Sequence, residues 1–126
     1  MATLHAMSGH FIVEYARGPS WEASRARRDQ EGWPEHAAFM DAMVDSGFVL
    51  FGGPIGDIDG ERALLVVAGA SCDAVRAQLA DDPWADGVLT IERVRPWTIW
   101  LGMLPDPNAG RSGAPGAPEN GTCQAR

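Results

Sequence analysis

The sequence predicts an α+β fold: an antiparallel four-stranded sheet with two helices on one of its faces. Three observations carry this. Strand-like and helix-like periodicities follow one another in the order β-α-β-β-α-β. Both helix starts are marked, one by Pro34 and one by Ser71. The chain has 126 residues, which is room for one domain and one core.

His10–Ala16 (HFIVEYA) is β-branched and aromatic, and reads as the first strand; Gly18 and Pro19 stop it. Residues 20–32 are polar and Arg-rich, and read as a short helix or a long loop. The first helix starts at Pro34, and Glu35 suits its positive end. His36, Phe39, Met40, Met43 and Val44 fall on one helical stripe that should face the core. Gly47 is placed to close the helix in a left-handed conformation. Phe48–Phe51 is the second strand and ends in Gly52-Gly53-Pro54. Asp57–Gly60 turns into the third strand, Ala63–Ala68. Ser71 caps a second helix, Cys72–Ala80, with Cys72, Val75 and Leu79 on one face. Asp82-Pro83-Trp84 ends it, since proline disfavours a helical residue before it. Val88–Leu101 is the last strand, broken or bulged at Pro96, so that part belongs at a sheet edge.

This order is the ferredoxin-like split βαβ pattern. In the first strand Phe11, Val13 and Tyr15 are apolar, and so are Ile12 and Ala16 on the other face. Trp97, Ile99 and Trp100 repeat this in the last strand. A sheet with one wet face alternates more cleanly. A second subunit over the outer face is the simplest cover, so a homodimer is expected. Residues 1–8 form a patternless leader and 9–101 the folded body. Residues 102–126 form a Pro/Gly/Ala-rich tail that cannot offset its ordering entropy, and it is expected to be disordered.

Charge excludes several functions. Ten basic residues face 17 acidic ones, for a net charge of −7. An acidic chain repels phosphate backbones, so no nucleic-acid partner is expected. All ten basic residues are Arg, so a lysine nucleophile or Schiff base is excluded. Two cysteines make neither a disulfide framework nor a four-Cys zinc site. There is no secretory signal pattern and no apolar run of membrane-spanning length. A cytoplasmic protein without a membrane partner is expected. His5, His10 and His36 lack metal-ligand spacing, so no metal is expected; the dinucleotide fingerprint is absent as well.

His36 is the sharpest candidate for chemistry. Near the start of a helix the macrodipole favours the neutral imidazole, which is then available as a base. Asp82 is its candidate partner, and would fix its tautomer. A His–Asp pair without a Ser or Cys nucleophile suits proton transfer rather than acyl transfer. A second reading stands beside this one: a stripe histidine that only hydrogen-bonds in the core, and an aspartate that only ends a helix. Arg28, with Gln30 and Trp33, reads either as an anion clamp over a pocket or as a solvated charged segment. Gly52-Gly53 allows close backbone approach by a ligand, or is only a strand-end kink.

Four ordered blocks resemble the YCII-related (YciI-like) family of small α/β dimeric-barrel proteins. They are Arg28-x-Gln30-x-x-Trp33-x-x-His36-Ala37-Ala38-Phe39-Met40-Asp41, then Gly47-Phe48-Val49 through Gly52-Gly53-Pro54, then Leu79-Ala80-Asp81-Asp82-Pro83-Trp84, then Pro96-Trp97. The resemblance implies a ferredoxin-like fold paired into a homodimer, with a His36–Asp82 catalytic centre. Arg28, Gln30, Trp33, Gly53, Pro54 and Trp84 are the implied substrate-binding residues. It implies a cofactor-free lyase or isomerase moving a proton on a small anionic, aromatic or quinone-like metabolite. The competing expectation is a non-catalytic dimeric module that binds a small molecule or supports a pathway assembly. An apolar pocket with His36 and Asp82 converging on it favours the enzyme; His36 packed away from any cavity favours the module.

Overall fold

The computed structural model describes residues 9–102; the leader 1–8 and the tail from 103 onward lie outside the described residues. The elements follow the expected order: β1 (Gly9–Arg17), α1 (Trp33–Asp45), β2 (Val49–Pro54), β3 (Arg62–Gly69), α2 (Cys72–Leu79) and β4 (Leu89–Pro96). Short 3₁₀ turns occupy Arg27–Asp29 and Pro83–Asp86. The sheet order is β2-β3-β1-β4, and every neighbouring pair is antiparallel. β1 and β2 therefore run parallel with β3 inserted between them, which is the split βαβ arrangement of the ferredoxin-like fold.

The helices take the sheet face that carries Phe11, Val13 and Tyr15 of β1, with Ala63, Leu65 and Val67 of β3 opposite them in register. Val75 and Leu79 of α2 close over this face and are fully buried. The Ser71 Oγ accepts a hydrogen bond from the Ala74 N–H at 3.0 Å, the cap expected from sequence. Gly47 has φ +88°, the left-handed value that closes α1. The opposite face carries Ile12 and Glu14 of β1 beside Val66 and Leu64 of β3, with Phe51, Arg93 and Arg95 on the flanking strands.

Two details depart from the sequence reading, and the choice between a short helix and a long loop at residues 20–32 is decided. The last strand ends at Pro96, so Trp97–Leu101 is not strand. Pro96 pairs with Phe11 but has no N–H to give the ladder. The Trp97 N–H still donates to the His10 carbonyl at 2.8 Å, and among the described residues that is the last bond. Val44 is exposed, because the stripe outruns the sheet at the end of α1. The segment 20–32 is a loop with one 3₁₀ turn.

Candidate active site

The site is built at the start of α1. Gly32 holds φ +80°, turning the loop chain into the helix, and the His36 N–H donates to its carbonyl at 2.9 Å. That first helical turn points His36 inward, where it is 8% exposed. The chain after α2 delivers the partner. Asp82 accepts the Trp84 N–H on Oδ1 at 2.9 Å, and so caps the 83–86 turn. The same carboxylate meets His36 Nδ1, at 2.8 Å to Oδ1 and 3.1 Å to Oδ2, and Asp82 is 4% exposed. The expected partner of His36 thus meets the imidazole and caps the 83–86 turn as well.

Trp84 completes the arrangement. Its ring lies flat against the His36 ring, with centroids 4.1 Å apart and planes 6° from parallel. Its Nε1–H is held by the Glu31 carbonyl at 2.9 Å. Trp33 flanks both rings, at 5.7 Å from His36 and 5.6 Å from Trp84. Trp21 meets Trp84 edge-on at 6.1 Å. With Nδ1–H donated to Asp82, the lone pair of the neutral ring falls on Nε2, which has no hydrogen-bond partner among the described residues. Nε2 is therefore the ring atom at which this arrangement could exchange a proton.

The other expected site residues divide. Trp33 and Trp84 stand at the pair. Arg28 is exposed, with its guanidinium 5.9 Å from the Trp33 ring. Gln30 is 3% exposed, and its amide is taken up by the loop: Nε2 donates to the Glu22 and Arg25 carbonyls at 2.9 Å, and Oε1 accepts the Glu22 N–H at 2.9 Å. It organises the loop instead of presenting an amide to a ligand. Gly53 and Pro54 lie on β2, the sheet edge opposite β4. Pro54 faces Ala63, which faces Tyr15, so it sits two strands from the site. The tight backbone approach of the glycine pair belongs to Gly52, where a Cβ would come within 2.6 Å of the Leu64 carbonyl; a Cβ at Gly53 has open space.

Sequence reasoning missed three residues beside the pair. Tyr15 is 5% exposed, and its hydroxyl, the Arg17 Nε and the Trp21 Nε1 are buried without a hydrogen-bond partner among the described residues. Burial, and then the charge of Asp82, push the Tyr15 hydroxyl well above its usual range. A register shift falls between Glu14 and Tyr15 in the pairing with β4, leaving Glu92 unmatched. Such irregularities re-aim side chains and are frequent beside active sites. Arg27, the buried member of the Arg25/Arg27/Arg28 group, ties the loop to residues 58–60. It donates to the Gly60 carbonyl at 2.8 Å from Nη2, and its backbone N–H donates to Asp59 Oδ1 at 2.8 Å.

Among the described residues, no three His, Cys, Asp or Glu side chains are grouped to hold a metal ion. No helix among them is long and apolar enough to cross a membrane. A family model for the YCII-related domain matches residues 10–98. No curated protein and no solved structure matches the chain.

Proposed function

The chain belongs to the YCII-related family, and from that premise we propose that it is a lyase or isomerase in which His36 moves a proton on a small anionic, unsaturated metabolite. The observation that carries the reading is the buried His36–Asp82 contact at 2.8 Å, stacked on Trp84. Asp82 holds the tautomer, and Nε2 removes a proton from a carbon activated by a neighbouring carbonyl. The electron pair of the C–H bond then enters the carbonyl as an enolate. In an isomerase the imidazolium returns the proton at a conjugated carbon; in a lyase the electron pair expels a leaving group from the adjacent carbon, and the imidazolium gives its proton to that group or to water. Trp84 and Asp82 stabilise the imidazolium between the two steps. A homodimer is part of the proposal: Phe51 stays 45% exposed on the sheet face that no helix covers, beside Ile12 and Leu64.

The test is incubation of purified protein with hydroxylated quinones and unsaturated lactones in heavy water. Deuterium incorporation or double-bond migration, lost in His36→Ala, is the expected result. Turnover that survives His36→Ala removes the reading.

A further inference from the structure

Tyr15 Oη, Arg17 Nε and Trp21 Nε1 are the buried side-chain polar atoms that lack a hydrogen-bond partner among the described residues. They are not scattered. Tyr15 and Arg17 are two apart on β1 and share its helix-side face, opposite Ile91 and Leu89 of β4. The Arg17 guanidinium lies 4.8 Å from the Trp21 ring centre. Trp21 in turn meets Trp84, which stacks on His36. Buried polar groups are nearly always paired, so three neighbouring orphans need an explanation.

Their chemistry is one-sided. Arginine Nε–H and indole N–H only donate. Phenol can do either, but here it keeps its proton, because burial and Asp82 oppose the phenolate. Charge points the same way. The Asp59 carboxylate accepts the Arg27 backbone N–H and its charge favours the Arg27 guanidinium, whereas the Arg17 Nη2 donates only to the Asp59 backbone carbonyl, at 2.6 Å. The two guanidiniums flank one indole, at 4.8 and 5.2 Å, and repel each other. Asp59 acts on Arg27 and Asp82 on Tyr15, but among the described residues no carboxylate bonds the Arg17 guanidinium, so an anion is the partner its Nε–H lacks.

We propose that Tyr15 Oη–H, Arg17 Nε–H and Trp21 Nε1–H form the receptor for a carboxylate, and that this carboxylate is the anionic handle of the substrate. The second half rests on the proton-transfer reading; the binding itself does not need His36. The faces of Trp33 and Trp84 suit a planar carbon skeleton, so an aromatic or conjugated carboxylate fits better than an aliphatic one. The three donor atoms are shut from solvent, and entry requires a side chain to move. Trp21 and Arg17 are only partly buried as residues, and Trp21 rides on the 18–32 loop.

The experiment is a benzoate titration of the full chain followed by the indole N–H resonances, with Trp21 assigned through Trp21→Phe. A saturable downfield shift at Trp21 is expected. Tyr15→Phe should weaken benzoate at least about tenfold, the size of a hydrogen bond to a charged group. It should not lower the melting temperature, because the hydroxyl makes no bond. Arg17→Gln should weaken it further. Acetate is expected to bind more weakly at the same resonance. His36→Ala should keep the benzoate shift while losing turnover, and if wild type binds benzoate but moves no proton, only the catalytic reading falls. The proposal is overturned by no saturable shift with wild type. It is equally overturned by Tyr15→Phe and Arg17→Gln binding within twofold of wild type, or by inorganic phosphate binding there in place of benzoate.

Discussion

The His36 site and the outer face of the sheet both set charged residues among apolar ones, and the two are built oppositely. At the site, the side chains of His36 and Asp82 are 10% and 2% exposed, every Asp82 contact is short, and a tryptophan seals one side. On the outer face, Glu14 takes Arg95 at 2.6 Å and Arg93 at 3.6 Å, and both arginines are half exposed. Arg62 pairs with Glu92, also at the surface. Water can replace what the outer pairs lose, but it cannot easily reach the inner one. Removing a partner in the interior therefore leaves an unsatisfied group, whereas at the surface it leaves a hydrated one. The inner pair is kept at a cost in desolvation, for which the proposed proton transfer would be the return.

The largest expected effect that separates the regions is on turnover. Asp82→Asn keeps the shape and the cap on the 83–86 turn but no longer fixes Nδ1–H. It should lower kcat by about 10²- to 10⁴-fold, the range of general acid–base contributions. Glu14→Gln should leave kcat within twofold. Equal losses in steady-state assays would erase the distinction. Stability follows. Asp82→Ala leaves both the His36 Nδ1–H and the Trp84 N–H without an acceptor, at about 1–3 kcal/mol each. Glu14→Ala should cost less than about 1 kcal/mol. Urea unfolding of the two variants measures the contrast, and a loss at Asp82 no larger than at Glu14 would show the interior pair to be solvated.

The same contrast explains what was legible in the sequence. Helix and strand periods are local, so the six elements could be read in order, and the Gly47 and Ser71 ends with them. The end of β4 could not, because Trp97–Leu101 keep an apolar strand-like pattern past Pro96, the residue that has no N–H for the ladder. His36 and Asp82 were legible because a histidine on an apolar stripe and an aspartate before Pro83 are unusual for their positions. Tyr15 was not, since Phe11, Val13 and Tyr15 form one alternating row and nothing in that row marks a hydroxyl that will lack a partner. Among Arg25, Arg27 and Arg28, the buried one is chosen by the carbonyls of residues 58–60, which are far away in sequence.

Gly32 sharpens the comparison within the helix-side region. A side chain there is strained at φ +80°, and its Cβ would lie 3.4 Å from Trp84 Nε1. Gly47 is equally strained at φ +88° but has open space around it. Gly32→Ala and Gly47→Ala should each cost about 1–2 kcal/mol by calorimetry. Gly32→Ala alone should also lower kcat, because relief of the strain shifts the turn whose carbonyl holds the His36 N–H. Matching kcat values in the two variants would mean that the geometry at the start of α1 does not matter to the reaction.

The smallest effect belongs to the outer region and to a second histidine. His10 lies near the start of β1 opposite Ala68, and partial burial lowers its pKa below the ordinary 6.5. The unfolded chain therefore binds a proton near pH 6.5 that the folded chain takes up only at lower pH. Stability then rises with pH across that window. The contribution of the neutral ring is fully present above pH 6.5. It is lost as pH falls from 6.5 to the lowered folded value, and below that value the penalty is constant. His10→Gln cannot take up this proton, so its melting temperature should fall less than that of wild type between pH 8 and pH 5. Thermal melts at half-unit steps supply the comparison. Superimposable pH profiles would show that the imidazole of His10 is as well hydrated as in the unfolded chain, and that the outer face at that point is open to water.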